Sequence, residues 1–272
     1  MADWESGDVT VKGVRLHYTR TGGAKPPLVL AHGFSDDGLC WTPVAQRLQD
    51  DYDVVMPDAR CHGLSDAPDE PVSVAHQVDD LAGLIQALGL SRPFILGHSM
   101  GAATTLALAA MHPDLPRAIL LEDPPAWWDP QAIPGHRSND WRVRMQEWIA
   151  DLHRKPRQQI IEEQRRLAPS WSDAELGPWA DSKLRLHPNA LNRSDESVDW
   201  ASLVRRINCP TLLITADPDR GALVTQQQAE ALRQVMPSLT VAHIPGAGHS
   251  VRREQFERYV EVVTSFLASH AA

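Results

Sequence analysis

The 272-residue sequence predicts an α/β fold, with a mainly parallel sheet covered by helices on both faces. Short apolar runs rich in β-branched residues recur along the chain, and turn-forming residues follow them. Helical patterns come next, and strands that alternate with helices are typical of βαβ units. The expected strands cover residues 14–19, 28–31, 54–56, 94–96, 118–121, 212–215 and 240–244, and the expected helices cover 42–48, 74–88, 100–111, 225–235 and 256–269.

The alternation breaks between residues 124 and 206, where prolines, charges and tryptophans replace the strand pattern. Helical patterns at 141–153 and 155–167 predict a helical insertion there, a cap over the sheet. The core domain would then comprise residues 1–123 and 207–272, and the cap residues 124–206. Most indoles in the insertion should fill its core, and some should line an apolar pocket. The tryptophans of the insertion are Trp127, Trp128, Trp141, Trp148, Trp171, Trp179 and Trp200.

Composition excludes several classes of protein. With 26 basic and 35 acidic residues, the net charge of -9 argues against a nucleic-acid-binding surface. The acidic N-terminus and the lack of any 18-residue apolar run argue against secretion and membrane spanning. The three cysteines, Cys40, Cys61 and Cys209, show no CxxC spacing, which argues against disulfides and zinc knuckles. A cytoplasmic protein is therefore expected.

The pentapeptide Gly97-His98-Ser99-Met100-Gly101 has the G-x-S-x-G form and lies between an expected strand and an expected helix. A sharp turn in that position exposes the serine hydroxyl above the sheet, beside a helix N-terminus that favours negative charge. Ser99 is therefore the predicted nucleophile.

A serine hydroxyl needs a base, and histidine suits neutral pH best. His249 follows the last expected strand in a glycine-rich loop, Pro245-Gly246-Ala247-Gly248, and is the predicted base. His32, His62 and His98 are expected to be structural. The oxyanion formed during acyl transfer needs two N–H donors, and the backbone N–H groups of Phe34 and Met100 are expected to supply them.

Several motifs resemble the α/β-hydrolase fold superfamily and occur in that family's order. They are the strand followed by His32-Gly33-Phe34, the run Asp58-Ala59-Arg60-Cys61-His62-Gly63-Leu64-Ser65, the serine pentapeptide, and Gly246-Ala247-Gly248-His249. The resemblance covers about residues 10–270 and implies an eight-stranded, mostly parallel sheet with a helical cap inserted after the sixth strand. One departure is Cys61, where family members usually carry glycine.

The resemblance leaves the acid that orients His249 open among three aspartates. Many family members place this acid after the seventh strand, which favours Asp219, with Asp217 two residues away. Other members take it from the end of the sixth strand, where Asp123 lies. Asp219 is the preferred assignment, because loops at the carboxyl edge of a parallel sheet gather functional groups.

Together these features predict a serine hydrolase that cleaves carboxylic esters or lactones of small molecules through an acyl-enzyme. A serine at the turn opposes the dehalogenase and epoxide-hydrolase chemistry of related folds, which use aspartate there. No metal-ligand spacing or dinucleotide fingerprint is present, so cofactor-free chemistry is expected. The alternatives are a cofactor-free haloperoxidase or perhydrolase, a carbon-carbon bond hydrolase and, from another class, a non-catalytic small-molecule receptor.

Overall fold

The computed structural model describes residues 4–129, 132, 139–194 and 196–271. Within these residues the strands are β1 (Glu5–Val11), β2 (Val14–Arg20), β3 (Pro27–Ala31), β4 (Asp53–Pro57), β5 (Phe94–His98), β6 (Ala118–Glu122), β7 (Thr211–Thr215) and β8 (Leu239–His243). The α-helices there are α1 (Thr42–Leu48), α2 (Val74–Ala87), α3 (Met100–Met111), α4 (Asn139–His153), α5 (Arg157–Leu167), α6 (Asp173–Arg185), α7 (Trp200–Val204), α8 (Gln226–Val235), α9 (Val251–Glu254) and α10 (Phe256–Ser269).

The eight strands form one sheet in the order β1-β2-β4-β3-β5-β6-β7-β8. Strand β2 pairs antiparallel with β1 and β4, and every pair from β4 through β3 to β8 is parallel. The α/β class and the eight-stranded, mostly parallel sheet are thus confirmed. Because the strands run in parallel, the carboxyl ends of β3, β5, β6 and β7 meet at one edge, where loops can combine their side chains.

Two apolar layers sandwich the sheet. On one face α2, α3 and α8 bury residues such as Leu84, Leu106 and Leu232, and on the other α1 and α10 bury residues such as Leu48 and Tyr259. Burial on both faces explains the continuous apolar runs that predicted the parallel strands. No helix in the described ranges is both long enough and apolar enough to cross a membrane.

Four elements were not predicted from the sequence: strand β1, helix α6 and the two short helices α7 and α9. Strand β1 is a largely exposed edge strand of mixed polarity, so its sequence lacks a buried apolar face. Helix α6 was not predicted because it contains Pro178, and proline is unfavourable inside a helix. The five helices expected in the core domain are present, with boundaries that differ from the expected ones by a residue at most.

The chain between β6 and β7, here called the β6–β7 connection, carries helices α4 to α7. Buried ion pairs join its helix α6 to the core. Lys183 Nζ lies 2.7 Å from Asp36 Oδ1, and Glu175 Oε2 lies 3.2 Å from Arg253 Nε. Lys183 Nζ also donates to the carbonyl oxygen of Ser35, at 2.8 Å. The Lys183 contacts fasten α6 to the turn that follows β3, and the Glu175–Arg253 pair fastens it to α9.

Candidate active site

Ser99 occupies a strained turn between β5 and α3. Its φ of 49° and ψ of -110° are unusual for a residue with a side chain, and such a conformation costs about 1–3 kcal/mol. Its backbone N–H donates to the carbonyl oxygen of Glu122 at 3.0 Å, which fixes the turn to the end of β6. The turn presents the half-buried Ser99 hydroxyl at the carboxyl edge of the sheet.

Glycine is required at two positions around this turn because other chain segments pass too close. A Cβ atom at Gly101 would collide with the carbonyl oxygens of Ala31 and His32. A Cβ atom at Gly33 would lie 2.6 Å from His98 Nδ1 and 3.4 Å from the Ser99 Cβ. The two glycines therefore let α3 and the turn after β3 approach the serine closely.

His249 lies between Ser99 and a carboxylate. Its Nε2 is 3.0 Å from Ser99 Oγ, and its Nδ1 is 2.6 Å from Asp123 Oδ2. The centres of the His98 and His249 rings are 4.8 Å apart, and His98 Nε2 lies 3.0 Å from the His249 carbonyl oxygen. In this arrangement Nδ1–H donates to the carboxylate and Nε2 accepts from the hydroxyl, which is the tautomer that a general base needs.

Asp123 is fully buried at the end of β6, with a φ of 41°. Its Oδ1 accepts hydrogen bonds from the backbone N–H groups of Leu223 at 3.0 Å and Val224 at 3.1 Å. Its Oδ2 accepts from Leu223 at 2.8 Å as well as facing His249. Three N–H contacts and the imidazole thus hold a buried carboxylate that would otherwise be costly to place there.

The preference for Asp219 as the orienting acid was wrong. Asp219 lies in a short 3-10 helix, Pro218–Arg220, and its side chain is exposed to solvent, whereas Asp123 contacts His249 directly. Asp217 is also engaged elsewhere, because its Oδ1 lies 3.0 Å from His243 Nε2 and its Oδ2 accepts from the Gly246 N–H at 2.7 Å. Asp217 therefore supports the loop that carries His249.

The two expected oxyanion donors come from the residue after Ser99 and from the turn after β3. Met100 is the first residue of α3, and the first N–H groups of a helix have no acceptor within it. Phe34 lies in the turn after β3, and no acceptor among the described residues reaches its backbone N–H. Neither N–H group has an acceptor among the described residues, and an oxyanion hole needs two such unpaired donors.

The neighbouring histidines hold loops together. His32 Nδ1 lies 2.8 Å from the Gly33 carbonyl oxygen, and its Nε2 accepts from the Ala59 N–H at 2.9 Å. His62 Nδ1 lies 2.8 Å from the Arg60 carbonyl oxygen, while its buried Nε2 has no partner in the described part of the chain. Both match the structural role expected for them.

The tryptophans divide between core and site. Trp141 packs on the Phe34 ring at 5.6 Å. Trp127 and Trp200 pack against each other over the sheet, and Trp171 and Trp179 form a pair within the β6–β7 connection. Trp141 therefore lies beside Phe34, one of the residues expected to bind the oxyanion.

Burial of His62 predicts a loss of stability in acid. Burial, the neighbouring His32 and the cations Arg193 and Lys183 hold the pKa of His62 well below its ordinary value of 6.5. Because its pKa is lower in the folded protein, neutral His62 makes its full contribution to the free energy of unfolding above pH about 6.5. Below that pH the contribution decreases, because the unfolded chain binds the proton first. The contribution falls by about 1.4 kcal/mol per pH unit until the folded-state pKa is reached.

We expect a His62→Asn variant, which keeps a donor near Nδ1 but does not titrate, to lose less stability than the wild type between pH 7.5 and 5.5. Urea unfolding at each pH measures the difference, which should be about 1 kcal/mol. Between pH 7.5 and 8.5, where His62 is neutral in both states, the two proteins should change in parallel. Equal losses of stability between pH 7.5 and 5.5 would contradict the burial argument.

The sequence profile described as the alpha/beta hydrolase family matches residues 28–262, most of the chain. This protein therefore belongs to the alpha/beta hydrolase family, and the resemblance seen in its motifs is confirmed. The eight-stranded sheet and the placement of the serine turn agree with that membership.

Among curated proteins, the chain is similar to an N-formylmaleamate deformylase of Pseudomonas putida, with 29% identity over 267 residues and 96% of each chain covered. Among solved structures, it is similar to an N-formylmaleamic acid deformylase from Pseudomonas putida, with a TM-score of 0.79, 24% identity and coverage of 95% of this chain and 100% of the other. An enol-lactonase from Burkholderia xenovorans gives a TM-score of 0.73, with 23% identity over 96% and 100% of the two chains. The similarity to the curated deformylase supports a hydrolase. The similarity to the two solved structures concerns the fold alone.

One polar residue near the site was not singled out from the sequence. Arg193, in the β6–β7 connection, has its guanidinium carbon 5.9 Å from the centre of the Phe34 ring, and its Nη2 lies 3.1 Å from Met100 Sδ. A single arginine in a polar stretch carries no motif, and its position depends on pairing with Val72, more than 100 residues earlier.

Proposed function

We propose that this protein hydrolyses carboxylic esters of small molecules, lactones included, with Ser99 as nucleophile, His249 as base and Asp123 as the orienting acid. The observation that supports this most directly is the continuous hydrogen-bond chain from Asp123 through His249 to Ser99, with contacts of 2.6 and 3.0 Å. The free N–H groups of Phe34 and Met100 beside the serine complete the set of groups that acyl transfer needs.

In the proposed reaction His249 Nε2 takes the proton of Ser99 while Oγ attacks the ester carbonyl carbon. The carbonyl oxygen becomes an oxyanion and accepts hydrogen bonds from Phe34 and Met100. The C–O bond to the alcohol then breaks, and His249 returns its proton to the departing oxygen. Water, deprotonated by the same imidazole, attacks the acyl-enzyme, and the acid product leaves with Ser99 protonated again. Asp123 keeps Nδ1 protonated throughout.

We propose further that the β6–β7 connection, residues 124–206, forms the cap over this site. The contact between Trp141 and Phe34 and the attachment of α6 to Ser35 and Asp36 support a wall of the pocket drawn from this segment. The partner of the site would be a small molecule that fits between the cap and the carboxyl edge of the sheet.

A second candidate substrate class is an N-acyl amide, in particular a formamide. The 29% identical relative is named a deformylase of N-formylmaleamate and matches 96% of this chain. The same serine chemistry cleaves an amide when His249 protonates the departing nitrogen, so the groups of the site fit both classes.

Two experiments test the proposal. A fluorophosphonate probe should label the wild-type protein on Ser99, which peptide mass spectrometry can locate. A panel of 4-nitrophenyl esters of increasing acyl length, aliphatic and aromatic lactones, and N-formyl and N-acetyl amides then compares kcat/KM between classes. Preference for esters supports the first candidate, and preference for the amides supports the second. Labelling elsewhere, or turnover of none of these compounds, would contradict the proposal.

A further inference from the structure

Arg193 is held rigidly by its backbone. The Val72 N–H donates to the carbonyl oxygen of Asn192 at 2.7 Å, and the Ser194 N–H donates to the Val72 carbonyl oxygen at 3.0 Å. Residues on both sides of Arg193 are therefore fixed to the loop that precedes α2. These backbone hydrogen bonds fix the position of the Arg193 Cα atom, from which the side chain extends.

The guanidinium lies against the side chains of the two residues whose backbone N–H groups are proposed to bind the oxyanion. Its Nη2 is 3.1 Å from Met100 Sδ, and its central carbon is 5.9 Å from the centre of the Phe34 ring. A fixed positive charge thus lies one side chain away from the reacting centre.

This cation differs from the fully buried ones in its partners. No carboxylate among the described residues pairs with Arg193. Four other cations are buried, and each has a carboxylate oxygen 2.6 to 3.1 Å away. They are Arg60, Lys183, Arg252 and Arg253.

The surroundings make the missing partner costly. A half-buried guanidinium that faces a thioether and a phenyl ring has lost part of its hydration without gaining an anion. Burial lowers the pKa of Arg193 to about 10, so the group remains charged at neutral pH. Beside it, His62 packs its ring edge-on to Phe34 at 5.9 Å and leaves its buried Nε2 without a partner in the described residues.

We infer that Arg193 binds a carboxylate group of the substrate, so that the substrates of this enzyme are small acyl compounds that also carry a free carboxylate. The inference rests on the proposed hydrolase function. A guanidinium offers two parallel N–H donors that match the two oxygens of a carboxylate, and an anion there would supply the partner that Arg193 lacks among the described residues. Such a contact would fix one end of the substrate while Ser99 attacks the other.

Matched substrates test this inference by kinetics. The first pair is 4-nitrophenyl hydrogen adipate and its methyl ester, which differ in charge on the acyl side. The second is 4-acetoxybenzoate and its methyl ester, which differ on the alcohol side. In at least one pair the anionic compound should be preferred. Arg193→Met should lower that preference by about 10- to 100-fold, mainly through KM, since uniform binding energy is lost. Arg193→Lys should restore part of it, because charge remains without the two-pronged geometry.

Arg206→Met is the matched control, since Arg206 is an exposed arginine at the C-terminal end of the same connection. It should leave the ratio between charged and neutral substrates at the wild-type value. If Arg193→Met slows the charged and neutral members of both pairs equally, Arg193 acts on the reaction in general or on the fold, and the inference is wrong.

Two readouts are independent of turnover. Calorimetric titration with adipate and with 4-acetamidobenzoate should show binding to the Ser99→Ala protein that Arg193→Met weakens at least tenfold. Arg193→Met should also keep or raise the melting temperature without ligand, because an unpaired charge is replaced by an apolar group. Binding without hydrolysis by the wild type would contradict the proposed function and still support the carboxylate site. If Arg193→Met weakens binding of neither anion, or lowers the melting temperature by several degrees, the carboxylate site is excluded.

Discussion

Replacing Ser99 with alanine is expected to lower kcat by about 10⁴- to 10⁶-fold on the best substrate of the ester and amide panel, the range seen when a serine nucleophile is removed. The reason is the loss of the oxygen that His249 activates from 3.0 Å away. Steady-state kinetics on purified protein measures the loss, and mass spectrometry checks that no acyl-enzyme accumulates.

Alanine at this turn has the same backbone conformation to adopt as serine, so the melting temperature of the Ser99→Ala protein should stay close to that of the wild type. This comparison separates loss of the nucleophile from loss of the fold. Turnover within tenfold of the wild type in the alanine variant would exclude Ser99 as the nucleophile.

Asp123→Asn is expected to cost on the order of 10⁴ in kcat, because the imidazole would be left in the wrong tautomer. The amide oxygen would accept from the Leu223 and Val224 N–H groups, as Asp123 Oδ1 does now. The amide nitrogen would then face His249 Nδ1 as a donor, which leaves the proton on Nε2 and removes the base from Ser99. Stopped assays with high enzyme concentration can measure the remaining rate.

Asp219→Asn is the matched control for this prediction. The substitution makes the same chemical change on an exposed carboxylate, and kcat should change by roughly twofold or less, as surface substitutions usually do little. If Asp219→Asn were the slower variant, the loop after β7 would have to supply the acid and the geometry around Asp123 would have no catalytic role.

The serine turn could be predicted from the sequence because its cause is local. Gly97 and Gly101 stand two residues from Ser99, and the strand and helix on either side are contiguous with them. His249 could be proposed as the base on similar grounds, because a glycine-rich loop directly precedes it. In both cases the residues that set the conformation lie within a few positions of the functional side chain, so a short motif carries the information.

The acid could not be chosen from the sequence because two separate loops compete for one imidazole. Asp123 reaches His249 with a left-handed backbone at the end of β6, and Leu223 and Val224, 100 residues later, hold its carboxylate. Neither the positive φ of an aspartate nor a contact of that separation leaves a pattern in one sequence. The role proposed for Arg193 was not predicted for a related reason. A sequence does not show which arginines have a carboxylate beside them in the folded protein.

The attachment of α6 to the turn after β3 has a consequence for changing this enzyme's selectivity. Lys183 binds the carbonyl oxygen of Ser35 and the carboxylate of Asp36, directly beside the Phe34 peptide. A library of α6 variants made to admit bulkier compounds would displace that peptide along with the helix. Substitutions in α6 that change the accepted substrate size should therefore change the turnover rate as well. Variants with a wider pocket should need a compensating change at the Lys183 contact before they match the parent's rate.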